Sequence, residues 1–343
     1  MRATEQRAIR IDRFSKRNDN LQVVKIPIPM PNSGEVLIET EAFGLNFADI
    51  MARKGKYRDA PPLPFVPGYD VVGRVVEAGE HTDNSLIGKR VCALTRFGGY
   101  AQFAIAKPEA LMIIPEDMPV CTALSLATQG ATAWHCIESA DLLEGEKVLI
   151  TAAAGGVGSL LTQLALHKKC EVYAIVGSKE KEQLMLEVGV KAAINRKEQD
   201  VFEAFKSLSK QEKIDVFFDS AGGSFTRKGI KNLAMGGRYI GYGGSQGSQA
   251  HSFWANLKFI LSFGIYHPGP FFMSSQSLIG VNMLKLADHK PERIKKSRES
   301  IFQLHAQNII QPLRGAEFPV SQIQEAHRLM EHGAIAGKIA ILW

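Results

Sequence analysis

Apolar and polar positions divide the chain into two textures. The first ~120 residues carry short alternating runs such as Glu35–Thr40, Val71–Val76 and Arg90–Leu94. Pro27–Pro31, Pro61–Pro64 and Gly98–Gly99 punctuate them, predicting a compact barrel of short strands. Beyond about Ala123 the period changes to strands alternating with helices. Strands are predicted at 148–151, 170–176, 192–195, 214–219, 238–242 and 277–283. Helices are predicted from Val157 through Ala165, over 201–209, 227–233 and 291–307, with a last strand over 337–342. Strand–helix alternation of this kind specifies a doubly wound parallel sheet, whose ligands bind beyond the carboxyl ends of the strands.

The most telling turn lies at Ala153-Ala154-Gly155-Gly156-Val157-Gly158, between the first of these strands and its helix. It reads A-x-G-x-x-G, a variant of the dinucleotide fingerprint. A small first residue permits the turn, Gly155 admits a pyrophosphate to the backbone, and Gly158 brings the helix close to the strand. The helix N-terminus, including Gly156 and Val157, then supplies N–H groups to the phosphates.

About 20 residues on, an NAD site would carry an acid for the ribose 2′-OH. Here Gly177-Ser178-Lys179-Glu180-Lys181 follows the second strand. Ser178, Lys179 and Lys181, with Arg196 after the third strand, suit a 2′-phosphate and predict NADPH. Alternatively they are solvated charges opening a helix, since Glu180 and Glu182 alternate with the lysines. Gly222-Gly223 and the Gly243 loop sit at two further strand ends, as close-approach points or as ordinary turns.

Composition narrows the class. At 343 residues, 45% hydrophobic and 22% charged, the chain suits two ordinary globular domains. Its net charge of +6 is dispersed. The densest basic cluster, Arg293, Lys295, Lys296 and Arg298, falls on an amphipathic helix, which predicts no nucleic-acid partner. Met1–Asn20 has no apolar stretch and no run of 18 apolar residues occurs, predicting neither a secretory signal nor a transmembrane segment. Four cysteines without C-x-x-C spacing read as reduced thiols of a cytoplasmic protein. Residues 252–272 hold 7 of the 28 aromatic residues, too dense for a surface loop. They are expected to cap a pocket, to form a subunit interface or to lean on a membrane, in that order.

Gly44-Leu45-Asn46-Phe47-Ala48-Asp49, Pro67-Gly68-Tyr69-Asp70-Val71-Val72-Gly73, Gly99-Tyr100-Ala101-Gln102-Phe103, Ala152–Gly158 and Ala336-Gly337-Lys338-Ile339 complete the motif set. Together they resemble the zinc-independent quinone oxidoreductase branch of the medium-chain dehydrogenase/reductase superfamily, particularly its synaptic-vesicle-membrane-protein-like members. The resemblance implies a GroES-like β-barrel catalytic domain built from both ends of the chain (1–123 with 285–343) and a Rossmann NADP-binding domain between (124–284). It also implies NADPH as cofactor and a homodimer.

Zinc-dependent relatives carry a cysteine where Asn46 stands and a His-Glu pair where Tyr69-Asp70 stands. A structural zinc lobe needs four close cysteines, and only Cys92 falls in that region, so no metal site is expected. The resemblance places Asn46 at the nicotinamide–substrate junction, with Asp49 organising it; read alone, the two are a turn and a helix N-cap. Tyr57 is a candidate pocket phenol or a surface ring. Met51 stands where some quinone reductases have tyrosine, which bears on the polarity of that wall. Thr132 lies where family members contact the nicotinamide ribose or ring. Lys338 is expected either to reach a cofactor phosphate or carboxamide, or to be a solvated strand lysine. His135 reads as a core histidine. The expected chemistry is zinc-independent hydride transfer from NADPH to a quinone. An enal/enone reductase and a non-catalytic NADPH-binding trafficking or membrane-associated protein are the alternatives.

Overall fold

The computed structural model describes residues 4–245 and 253–343; the side chains of Phe253, Ala255 and Asn256 are not among those described. Two compact units emerge: residues 1–129 with 312–343, and residues 130–311. The boundaries thus fall at 129 and 312, where the sequence suggested 123 and 285. At the first boundary, helix Val120–Leu124 packs on the sheet of the first unit, and the Cys92 thiol donates to the Ala123 carbonyl. At the second, helix Pro291–Ala306 packs against helix Ala131–Ala140 of the second unit, burying Ile294 and Ile301.

The second unit is a six-stranded parallel sheet. Its spatial order is Ala192–Asn195, Glu171–Val176, Lys147–Ile150, Ile214–Asp219, Leu233–Gly241, Ser277–Gly280. In sequence order that is 3-2-1-4-5-6, a doubly wound Rossmann sheet with its switch point between strands one and four. Strand one is buried from Val148 to Ile150, as a central parallel strand covered on both faces must be. The sequence located all six strands. The fifth starts earlier, at Leu233. The sixth stops at Gly280, because Asn282 caps a new helix, Met283–His289, by accepting from the Lys285 N–H at 3.1 Å.

In the first unit, strand Val36–Leu45 is the hub of a seven-stranded, largely antiparallel sheet. It pairs with Asp70–Ala78, with Phe103–Ala106 and with the C-terminal strand Ile339–Leu342. This is the GroES-like domain, built from both ends of the chain. Its registers set Phe43 opposite Val71 and Leu45 opposite Ile339. The end of the hub strand therefore lies beside the starts of two others. Among the described residues, no helix is long and apolar enough to cross a membrane.

Candidate functional site

Those registers bring together three residues distant in sequence. Asn46 immediately follows the hub strand, Asp70 opens the next, and Lys338 immediately precedes the last. Lys338 Nζ lies 2.6 Å from Asp70 Oδ2, with both side chains wholly buried. The same ammonium donates to Asn46 Oδ1 at 2.9 Å, and Asn46 Nδ2 donates to Asp70 Oδ1 at 2.6 Å. The three side chains close a ring. Gly44 makes room for it: a Cβ there would sit 2.4 Å from Lys338 Cε and 2.6 Å from Asp70 Oδ2. This accounts for the glycine that opens the G-L-N-F-A-D motif.

Asn46 caps helix Phe47–Arg53, and Asp49 completes the cap by accepting from the Asn46 backbone N–H at 2.8 Å. The other carboxylate oxygen of Asp49 accepts from the Gly68 N–H at 3.2 Å. The N-cap is thus Asn46, and Asp49, at the third helical position, supports it from within the first turn. Burial pushes the Asp49 carboxyl up to about 7, and the nearby Asp70 charge adds to this. The Asn46 N–H bond and the Lys338 charge oppose the shift. Behind it the Tyr100 hydroxyl lies 3.2 Å from His327 Nε2, and burial holds that imidazole down at about 3.

Lys338 has no exposed surface and two anchored partners, so it is not a solvated strand lysine. Tyr57 is half-buried, edge-on to the buried Tyr69 ring at 6.1 Å, and burial raises its pKa.

In the Rossmann unit the predicted turn follows the first strand and opens a helix, with the chain closely packed at its last glycine. Gly155 caps helix Gly156–His167 with extended backbone (φ −81°, ψ 175°). A Cβ on Gly155 would meet only Ala152, with its carbonyl oxygen at 3.0 Å, and otherwise open space. A Cβ on Gly158 would lie 2.2 Å from that same carbonyl and 2.8 Å from Ala153 Cα, so helix and turn touch there. Ala153 is buried, with its N–H on the Ile175 carbonyl at 3.1 Å. Gly156 and Val157, both half-buried, form the first turn of the helix, whose leading backbone N–H groups have no partner within the helix.

Where an acid would end the second strand, Arg196 passes over Gly177, its Nε 3.7 Å from the position of a Cβ there. Ser178 caps helix Lys179–Val188, accepting from the Lys181 N–H at 3.4 Å. Lys181 is half-buried, and burial, then Arg196 and Lys197, push its pKa down. Lys179 is exposed. Arg196 and Lys197 thus disfavour the charge on Lys181, and a dianion beside Lys181 would offset that repulsion.

Thr132 lies half-buried in the first turn of helix Ala131–Ala140, after a π-helical turn over Ser125–Gly130. His135 is buried, as expected of a core histidine. Gly243 backs onto Ser220, whose carbonyl lies 2.8 Å from the position of a Cβ. Of the aromatic segment, Ser252 lies outside the described residues. Helix Phe253–Phe263 turns Phe263 towards Gly222 and Phe259 towards Gly244, at the ends of strands four and five. Trp254, Ile260 and Leu261 are exposed.

The sequence reading missed the pairing of Asp70 with Lys338. Its signal was present: one acid and one base, each beside an apolar strand run, in a domain where buried charges must pair.

The fold and these two groups of residues define a two-domain, dinucleotide-binding class of protein. Residues 32–116 match the alcohol dehydrogenase GroES-like domain, and residues 156–296 match the family described as zinc-binding dehydrogenase. The chain is 26% identical to human quinone oxidoreductase over 339 residues, covering 98% of this chain and 97% of that one. It is 28% identical to the zebrafish synaptic vesicle membrane protein VAT-1 homolog over 322 residues, 93% of this chain and 66% of that protein. A mycobacterial protein solved in complex with NADPH superposes with a TM-score of 0.85 at 25% identity, covering 98% of this chain and 100% of the other. The chain belongs to the medium-chain dehydrogenase/reductase superfamily, in its quinone oxidoreductase branch.

Proposed function

We propose that the protein is an NADPH-dependent oxidoreductase that reduces quinones without zinc. The observation that carries the cofactor assignment is the Rossmann turn with Arg196 and Lys181 where an acid would select NADH. Gly155, Gly156, Val157 and Gly158 would hold the pyrophosphate. Ser178, Lys179, Lys181 and Arg196 would hold the 2′-phosphate, and Thr132 and the Gly243 loop the nicotinamide half. Bound NADPH supplies a hydride, which a quinone accepts because delocalisation spreads the negative charge.

Unit one contributes orientation and a hydrogen-bond donor. Asn46 donates to the acceptor carbonyl, Asp49 holds the Asn46 backbone, and Tyr57 offers a phenol to the pocket wall. Zinc independence is supported by chemistry as well as by ligand identity. The Lys338 ammonium already supplies the positive charge between Asp70 and Asn46, and a second cation there would be repelled. Phe259 and Phe263 favour a flat apolar acceptor. A homodimer is supported by the exposure of Trp254, Ile260, Leu261, Ile265, Phe272 and Met273 in the segment that leads into the edge strand Ser277–Gly280.

The test is NADPH oxidation against a panel of quinones and enones after exhaustive chelation. Turnover of quinones by chelated protein is expected. Preference for enones would reassign the acceptor, and activity restored only by zinc would overturn the zinc-free chemistry. NADPH binding without turnover of any acceptor would favour a binding protein.

A further inference from the structure

We infer that Lys338 and Asp70 are positioning residues for the Asn46 amide, fixing it so that it offers a ligand a hydrogen-bond donor and never an acceptor. The inference rests on the proposed place of Asn46 beside the acceptor carbonyl and goes beyond it by naming what sets the polarity of that contact.

The ring of contacts admits one orientation. Asn46 Oδ1 faces the ammonium at 2.9 Å and Nδ2 faces the carboxylate at 2.6 Å. Turning the amide over would set N–H groups against Lys338 and oxygen against Asp70, two repulsive contacts in a buried place. The cap bond from the Asn46 N–H to Asp49 fixes the backbone below. One amide N–H is thereby committed to Asp70. The other points at the Gly44 carbonyl at 3.5 Å, at the limit of a hydrogen bond, and yields readily to a better acceptor. Asn46 is half-buried, while Lys338 and Asp70 are wholly buried. A ligand therefore meets the amide and not the ion pair. Because the pair is neutral overall, it orients the donor without leaving net charge beside it. Carbonyl acceptors whose oxygen gains negative charge fit such a donor; an ammonium group, which can only donate, does not.

A double-mutant cycle between Asn46→Ala and Lys338→Met tests this, with kcat, acceptor KM and NADPH Kd measured for each. Lys338→Met alone should lower kcat about tenfold or more, with NADPH Kd within about twofold, because the donor is lost from its geometry while the glycine turn is untouched. In the Asn46→Ala background the same substitution should change kcat by less than about twofold, since no amide remains to be positioned.

Equal kcat losses in both backgrounds would overturn the positioning role and leave the Asn46 contact standing. An unaltered kcat in Asn46→Ala would overturn both. If Lys338→Met fails to fold, Lys338→Met with Asp70→Leu replaces the pair by apolar groups, a change that buried ion pairs commonly tolerate. That variant should show the same loss of kcat and the same insensitivity to Asn46→Ala.

Discussion

Gly155 and Gly158 stand three residues apart in one turn, yet an added methyl should do opposite things at the two positions. At Gly158 the Cβ would lie 2.2 Å from the Ala152 carbonyl oxygen and 2.8 Å from Ala153 Cα, and both neighbours are backbone. The helix must then retreat from the turn by about 1 Å to restore contact distance. Overpacking of this kind costs about 1–3 kcal/mol, against about 0.5–1 kcal/mol gained by replacing a helical glycine with alanine. At roughly 2–4 °C per kcal/mol, Gly158→Ala should lower the melting temperature by several degrees. At Gly155 the extended backbone suits any residue, and the single near neighbour is at 3.0 Å. Gly155→Ala should melt within about 1–2 °C of wild type, and the bulkier Gly155→Val should remain folded. Gly155→Val should nonetheless abolish NADPH binding, because its side chain fills the space through which the pyrophosphate approaches. Calorimetry and cofactor fluorescence measure the two effects separately. A folded Gly155→Val that keeps its NADPH affinity, or a Gly158→Ala as stable as wild type, would refute the reasoning.

Replacing Lys181 with Ala should weaken NADPH by about 1–3 kcal/mol and leave NADH nearly unchanged, as paired titrations will show; equal losses would reject the 2′-phosphate assignment. Phe263→Ala should raise the acceptor KM while NADPH Kd stays within about twofold, because the ring covers Gly222 and not the phosphate turn. A shift to monomer in sedimentation with unchanged kinetics would instead make that helix a subunit contact. Asp49 holds its proton in the folded chain up to about 7, whereas the unfolded chain releases it near the ordinary aspartate value. Its contribution to stability is therefore present below about pH 4 and lost as pH rises to about 7. Asp49→Asn should gain stability relative to wild type across that window, measured by melting temperature, and a flat difference would contradict the buried-carboxyl reading.

Much of the Rossmann unit was legible in the sequence because each of its signals is local. Val148 to Ile150 is an unbroken apolar run, as a central parallel strand requires, and the turn after it declares its glycines. The C-terminal strand and helix boundaries were less so. The sixth strand ends early because of the Asn282 cap, which in sequence competes with a β-favouring run. The unit boundaries depend on which surface the helices Val120–Leu124 and Pro291–Ala306 cover, a tertiary property with no local mark. In the GroES-like unit, Asn46 and Asp49 were visible through their motif, but the pairing of Lys338 was not. Its partner, Asp70, lies 268 positions away and is brought beside it only by the register of two strands against Val36–Leu45.

The central claim is direct transfer of hydride from NADPH to a conjugated carbonyl acceptor, and single-turnover oxidation of NADPH deuterated at the transferring C4 position tests it most directly. The account predicts a primary isotope effect on the disappearance of NADPH with a quinone. With any enone that turns over, it predicts deuterium on the carbon of the reduced product. NADPH bound stoichiometrically yet oxidised no faster than in buffer, or oxidised with no isotope effect under single-turnover conditions and no label in product, would contradict it.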